Sequence, residues 1–152
     1  MKARVIGLGQ TAAGDDAVGL AVIERLRGDP AAAGLELFTV ASAHDLVKML
    51  PGSGPVVIVD AVMADRPAGT VITGSPEAFE EAGTAAWSSH GFGAIQAVGL
   101  ARALDPDGVP DEIHVVGVVI HPPAEYRNGL SDAVAHSVED AAGAILRLAG
   151  GQ

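Results

Sequence analysis

Two nearly continuous apolar runs, Val56-Val57-Ile58-Val59 and Ile113–Ile120, constrain this chain most, because each is flanked by segments of helical periodicity. A strand that is apolar at every position can show neither face to water, so both faces of its sheet must be covered. The rest of the chain supplies that cover. Ala3–Leu8 reads as a buried strand ending in glycines. Val18, Ala21, Val22 and Leu26 then recur at helical spacing, after Asp15 and Asp16, acids that suit a helix N-terminus. Gly28-Asp29-Pro30 stops that helix. Leu35–Val40 reads as a second strand, His44–Leu50 as a short helix closed by Pro51-Gly52, and Val56–Ala61 as a third, central strand. Gly69–Thr73 follows too soon for a helical crossover and is expected to run antiparallel to its predecessor. Glu77–Gly83 is a turn or weak helix, and Gly93–Leu104 a largely buried helix. A loop over His121–Gly129 follows the last strand. Ser131 is then placed to cap a helix, in which Val134, Val138, Ala141, Ile145 and Leu148 form one apolar face. Strands alternating with helices predict an α/β fold: a three-layer α/β/α sandwich on a mostly parallel sheet with one antiparallel strand.

Composition narrows the function classes. At 152 residues the chain is expected to be one domain, 1–152, with a substantial core. The formal charge of −10 argues against nucleic-acid backbones and anionic membrane surfaces, which reward Lys and Arg. Without any cysteine, disulfides, thiolate metal sites and cysteine nucleophiles are excluded. Met1-Lys2 leads straight into the first strand. No signal peptide or membrane span is read there, so a soluble, cytoplasmic protein is expected.

Three side chains of metal-binding type fall where strands should end: Asp16 after the first, Asp60 after Val56–Val59, and His90 just before a helical pattern. Ligands bind beyond the C-terminal ends of strands in an open α/β sheet. Two carboxylates and an imidazole there would suit a divalent cation of borderline hardness, such as nickel or zinc. The spacings match no local metal motif of the H-E-x-x-H kind. His44 and His121 follow strands directly and are secondary candidates. His114 lies at the far end of its strand, and His136 on a polar helix face. Gly7-Leu8-Gly9-Gln10-Thr11-Ala12 fits a dinucleotide fingerprint. However, Asp15 and Asp16 then stand where phosphates should bind, and the second strand ends without an acid for the ribose. There is no G-x-S-x-G elbow and no H-E-x-x-H, so a hydrolase built on this chain must activate water through carboxylates, histidine or metal.

Taken in order, Val5-Ile6-Gly7-Leu8-Gly9-Gln10, Asp15-Asp16-Ala17-Val18-Gly19, Val59-Asp60-Ala61 and Ser89-His90 resemble the hydrogenase maturation endopeptidases. Val116–Ile120, the proline-containing loop and Asn128-Gly129-Leu130-Ser131 extend the resemblance over nearly the whole chain. The resemblance implies a twisted five-stranded sheet between helices. It implies an endopeptidase, aspartic-type or metal-dependent, that removes the C-terminal extension of a nickel-loaded [NiFe]-hydrogenase large-subunit precursor. It also implies that Asp16, Asp60 and His90 are metal-contacting residues, recognising nickel carried by the substrate rather than holding a permanent catalytic metal. The alternative is a non-catalytic metal- or nucleotide-binding module acting as an assembly factor. Gln10 stands where the family usually has Asn. Thr39-Val40-Ala41-Ser42-Ala43-His44 replaces a usually glycine-rich, acid-containing segment, and Ile120-His121-Pro122-Pro123 is not the commonest form of its loop. These departures bear on which hydrogenase is the substrate more than on the reaction.

Overall fold

A computed structural model describes residues 2–10, 14–82, 93–121 and 129–150. Five strands, β1 (Arg4–Leu8), β2 (Glu36–Val40), β3 (Val56–Val62), β4 (Val71–Gly74) and β5 (Ile113–Val119), form one sheet in the order β2-β1-β3-β5-β4. β1, β2, β3 and β5 are parallel, and β4 is antiparallel to β5. The most apolar strand is therefore central, and all seven of its residues are buried. β4 has the expected direction. Its partner is β5 rather than its predecessor, because the chain after β3 crosses the end of β5 and returns along the far edge.

Among the described residues, five α-helices cover the sheet: α1 (Val18–Arg27), α2 (Ala43–Met49), α3 (Pro76–Glu81), α4 (Ala94–Leu104) and α5 (Asp132–Gly150). Period-two alternation sorts β3 between two cores. Val57, Val59 and Ala61 pack with Val18, Val22 and Ile23 of α1 and with Val134, Ala141 and Ile145 of α5. Val56, Ile58 and Val62 pack with Leu46 of α2, Phe79 of α3 and Val98 of α4. Local chemistry starts the short helices: Ser42 accepts from the Asp45 amide at 3.2 Å, and Ser75 from the Ala78 amide at 3.1 Å, with Pro76 at the first helical position. Two short 3₁₀ turns, Gly14–Ala17 before α1 and Pro30–Ala32 after it, were not legible as helices from periodicity. Among the described residues, no helix is long and apolar enough to cross a membrane.

Candidate active site

The strand order fixes where a ligand can sit. From β1 the chain crosses to β2 through α1 on one face. From β2 it returns through α2 on the other face to β3, on the opposite side of β1. The gap between the C-terminal ends of β1 and β3 is therefore a topological switch point, the place where open α/β sheets take ligands. The β1–β3 pairing ends at Gly7 with Val59, one residue before Asp60.

Asp16 is brought to that gap by tight backbone packing. Its 3₁₀ turn packs against β3. A methyl group added at Gly19, in the first turn of α1, would fall 2.4 Å from the Leu8 carbonyl oxygen and 2.7 Å from that of Val59. One added at Gly7 would fall 2.5 Å from the Gly19 oxygen. Only glycine at these two positions lets the start of α1 press onto β1 and β3 together. Gly9 supports the turn from below, since a Cβ there would meet the Asp16 carbonyl oxygen at 2.6 Å. Gln10 reaches across the crevice floor, its Nε2 donating to the Ala41 carbonyl at 3.2 Å. Gly19 stands in the motif that carries the family resemblance, yet its packing role has no periodic signal. A glycine in the first turn of an otherwise apolar helix is the one hint.

Asp60 is only 5% exposed. It does not follow the strand as the sequence suggests but lies within β3, paired with Gly117 of β5 and followed by Ala61 and Val62, because the β3–β5 ladder runs on past the end of the β1–β3 pairing. Its Oδ1 accepts the amide of Ala61 at 2.8 Å. Its Oδ2 is buried with no hydrogen-bond partner among the described residues. Burial pushes its carboxyl well above the ordinary aspartate value. The Ala61 amide opposes that shift, and the nearby Asp16 carboxylate adds to it. A buried carboxyl facing a second one is poised in two ways. It can hold a proton as an acid, or it can ionise against an incoming cation, which would relieve both desolvation and like-charge repulsion.

The other candidates separate cleanly. Asp15 does not share the crevice: both its carboxylate oxygens accept hydrogen bonds from Ser131, at 2.7 Å from the amide and 2.8 Å from the hydroxyl. Ser131 stands where the sequence predicts it, just before α5, with its carbonyl accepting the Ala135 amide. Its hydroxyl, however, is spent on Asp15. His121 stands two positions beyond β5, and its Nε2 bonds the Arg66 carbonyl at 2.8 Å, tying the segment after β5 to the one after β3. His44 is exposed in the first turn of α2. His114 pairs with Glu112 at 3.0 Å at the opposite end of the sheet, and His136 is exposed, both as expected. His90 lies outside the described residues. Among those described, no group of three His, Asp or Glu side chains is close enough to hold a metal ion. The fingerprint glycines serve helix packing, and Asp15 and Asp16 occupy the turn before α1, so nothing among the described residues supports a nucleotide pyrophosphate.

The sequence profile of the HycI hydrogenase maturation proteases matches residues 40–148. A relative, Protein FrxA of Pyrococcus furiosus, is 28% identical over 138 residues, which cover 89% of this chain and 96% of the relative. The solved structure of the [NiFe] hydrogenase maturation protease HybD from Thermococcus kodakarensis is similar with a TM-score of 0.77 at 29% identity, covering 98% of this chain and 99% of that one. The hydrogenase maturating endopeptidase HybD from E. coli also gives a TM-score of 0.77, at 22% identity over 95% of this chain and 90% of its own, a likeness of fold. With the profile spanning most of its length, this chain belongs to the hydrogenase maturation protease family and is a peptidase.

Proposed function

We propose that this chain removes the C-terminal extension of a nickel-loaded [NiFe]-hydrogenase large-subunit precursor, and that it does so in the cytoplasm. The observation that carries this reading is the convergence of Asp16 and Asp60 at the switch point, with one Asp60 oxygen buried and unpartnered. Asp16 and Asp60, together with His90, contact the nickel. The ion arrives with the precursor and is not a resident cofactor. Two carboxylates and an imidazole suit a borderline divalent ion and leave coordination positions for ligands supplied by another protein. Docking on the metal therefore tests whether the precursor is loaded and sets the scissile bond beside the carboxylates. Peptide hydrolysis needs one group to take a proton from the attacking water and a proton to be returned to the departing amine. One carboxylate of the pair performs that exchange while the other remains on the metal.

The test is to incubate the protein with nickel-loaded and nickel-stripped precursor and follow the precursor's mass. Loss of a C-terminal peptide from the loaded form alone is expected. An unchanged loaded precursor, shown to be cleaved by its own cognate protease, would overturn the proposal.

A further inference from the structure

We propose that Asp15 is a positioning residue, which clamps the turn carrying Asp16 onto the start of α5 and acts through hydrogen-bond geometry rather than charge. This inference rests on the role assigned to Asp16 above. Two adjacent acids on a 3₁₀ turn point about 120° apart, because that turn has about three residues per revolution. Asp15 points to α5, where both its oxygens are occupied by Ser131 at 2.7 and 2.8 Å, across 116 residues of chain. Asp16 lies on the same turn, which packs against β3, and its charge helps raise the Asp60 carboxyl.

The turn between them is held from further sides. Gly14 opens it in the left-handed region at φ 61°, and Gly9 lies directly beneath the Asp16 carbonyl. At the other end of the same helix pair, Arg25 of α1 joins Glu139 of α5. That second tie is exposed, whereas the Asp15–Ser131 tie is partly buried and sits one residue from the candidate ligand. Rotating Asp15 toward the crevice would break two hydrogen bonds at once. The structure thus assigns different work to the two acids: Asp16 contributes charge and Asp15 contributes placement.

Asparagine at position 15 retains the clamp with one bond reversed. Its oxygen accepts the Ser131 amide and its NH₂ donates to the Ser131 hydroxyl. The experiment measures kcat and KM on nickel-loaded precursor for the wild type, Asp15→Asn, Asp15→Ala, Ser131→Ala, the Asp15→Ala/Ser131→Ala double variant and Asp16→Asn. Asp15→Asn is expected to keep kcat within about fivefold, and Asp15→Ala to lose about 100-fold, the scale of a misplaced reacting group. Asp16→Asn is expected to lose about 1,000-fold. The double variant should be no worse than Asp15→Ala, because the two residues act as one unit. If Asp15→Asn is as inactive as Asp16→Asn, the charge of Asp15 is used directly and the proposal falls. Equal kcat and KM in Asp15→Ala and wild type would also overturn it, as would additive losses in the double variant. Should Asp15→Ala fail to fold, the comparison of Asp15→Asn with Asp16→Asn still decides. An inactive wild type would instead refute the protease reading itself.

Discussion

The two ends of the sheet are finished in opposite ways. At the N-terminal end of the strands, polar groups are paired off. The Arg4 guanidinium donates to the carbonyls of Met49, Leu50 and Pro51, closing the C-terminus of α2. Gly52 donates to the Gly108 carbonyl at 2.9 Å, and His114 meets Glu112. Arg4 Nε is the exception, a buried N–H without a partner among the described residues, beside three satisfied bonds of the same group. Toward the C-terminal end, an ionisable oxygen of Asp60 is buried and has no partner among the described residues, with the charge of Asp16 acting on it. An unpaired buried acceptor costs stability, and one that can ionise costs more. On the function proposed above, the difference separates an end of the sheet that holds the fold from one where a buried acid meets the metal carried by the substrate.

Substitution at Asp60 is expected to have the largest effect. Asp60→Asn is expected to lower kcat on nickel-loaded precursor by about 1,000-fold or more. It should also raise stability at neutral pH, by about 1 kcal/mol or about 3 °C in Tm, because an uncharged isostere removes the desolvation cost. The sign follows from the raised carboxyl. Below the ordinary aspartate value of 3.8 both folded and unfolded chains hold the proton, and Asp60 contributes nothing to the pH dependence. Above it the unfolded chain ionises freely while the folded one resists, so stability is lost as pH rises toward the raised value. The advantage of the variant should therefore shrink as pH falls toward 3.8. An Asp60→Asn protein less stable than wild type at pH 7 would mean that Asp60 is satisfied after all. Thermal melts from pH 4 to 8 make the measurement.

Arg4→Ala probes the other end. It removes charge-assisted bonds to the carbonyls of Met49, Leu50 and Pro51, at and just beyond the C-terminus of α2, which is expected to cost about 2 kcal/mol, or about 6 °C in Tm. The cleavage rate per folded molecule should stay as in wild type, because Arg4 lies at the opposite end of the strands from the crevice. A kcat that fell with Tm held constant would show that the two ends are coupled.

How much of this was legible in the sequence depends on the range of the interaction. The strands and most helices follow from apolar periodicity, which is local. The central position of β3 follows from its having no polar face. The 3₁₀ turn at Gly14–Ala17 has too few residues for any period, and the partner of β4 is a choice of sheet edge that no local pattern encodes. Asp16 and Asp60 stand out in the sequence as acids near strand ends, and their order in the chain made the family resemblance specific, but the structure sets Asp60 within β3 and Asp16 on the 3₁₀ turn before α1. The division of labour between Asp15 and Asp16 was not derivable from spacing, since it depends on Ser131, 116 residues away. The packing of Gly19 against Leu8 and Val59 is likewise a contact between elements that the sequence separates.

The smallest effect is expected at the surface of the well-paired end. Arg25 joins Glu139 of α5 and Asp29 beyond the C-terminus of α1, with 37% of its side chain and 65% of that of Glu139 exposed. The guanidinium holds the Glu139 carboxyl below its ordinary range, so whatever the pair contributes is present at neutral pH and lost as pH falls through that lowered value. Asp60 acts over the opposite window, above its ordinary value and with the opposite sign. Exposed ion pairs hold long side chains in place for little gain and are screened by salt. Glu139→Gln is accordingly expected to shift Tm by no more than about 2 °C at low salt, with the difference vanishing near 1 M salt. Cleavage should be unchanged. A larger and salt-independent shift would mean that the α1–α5 contact is fastened at its exposed end, and that the Asp15–Ser131 clamp is not the tie that fixes where α1 begins.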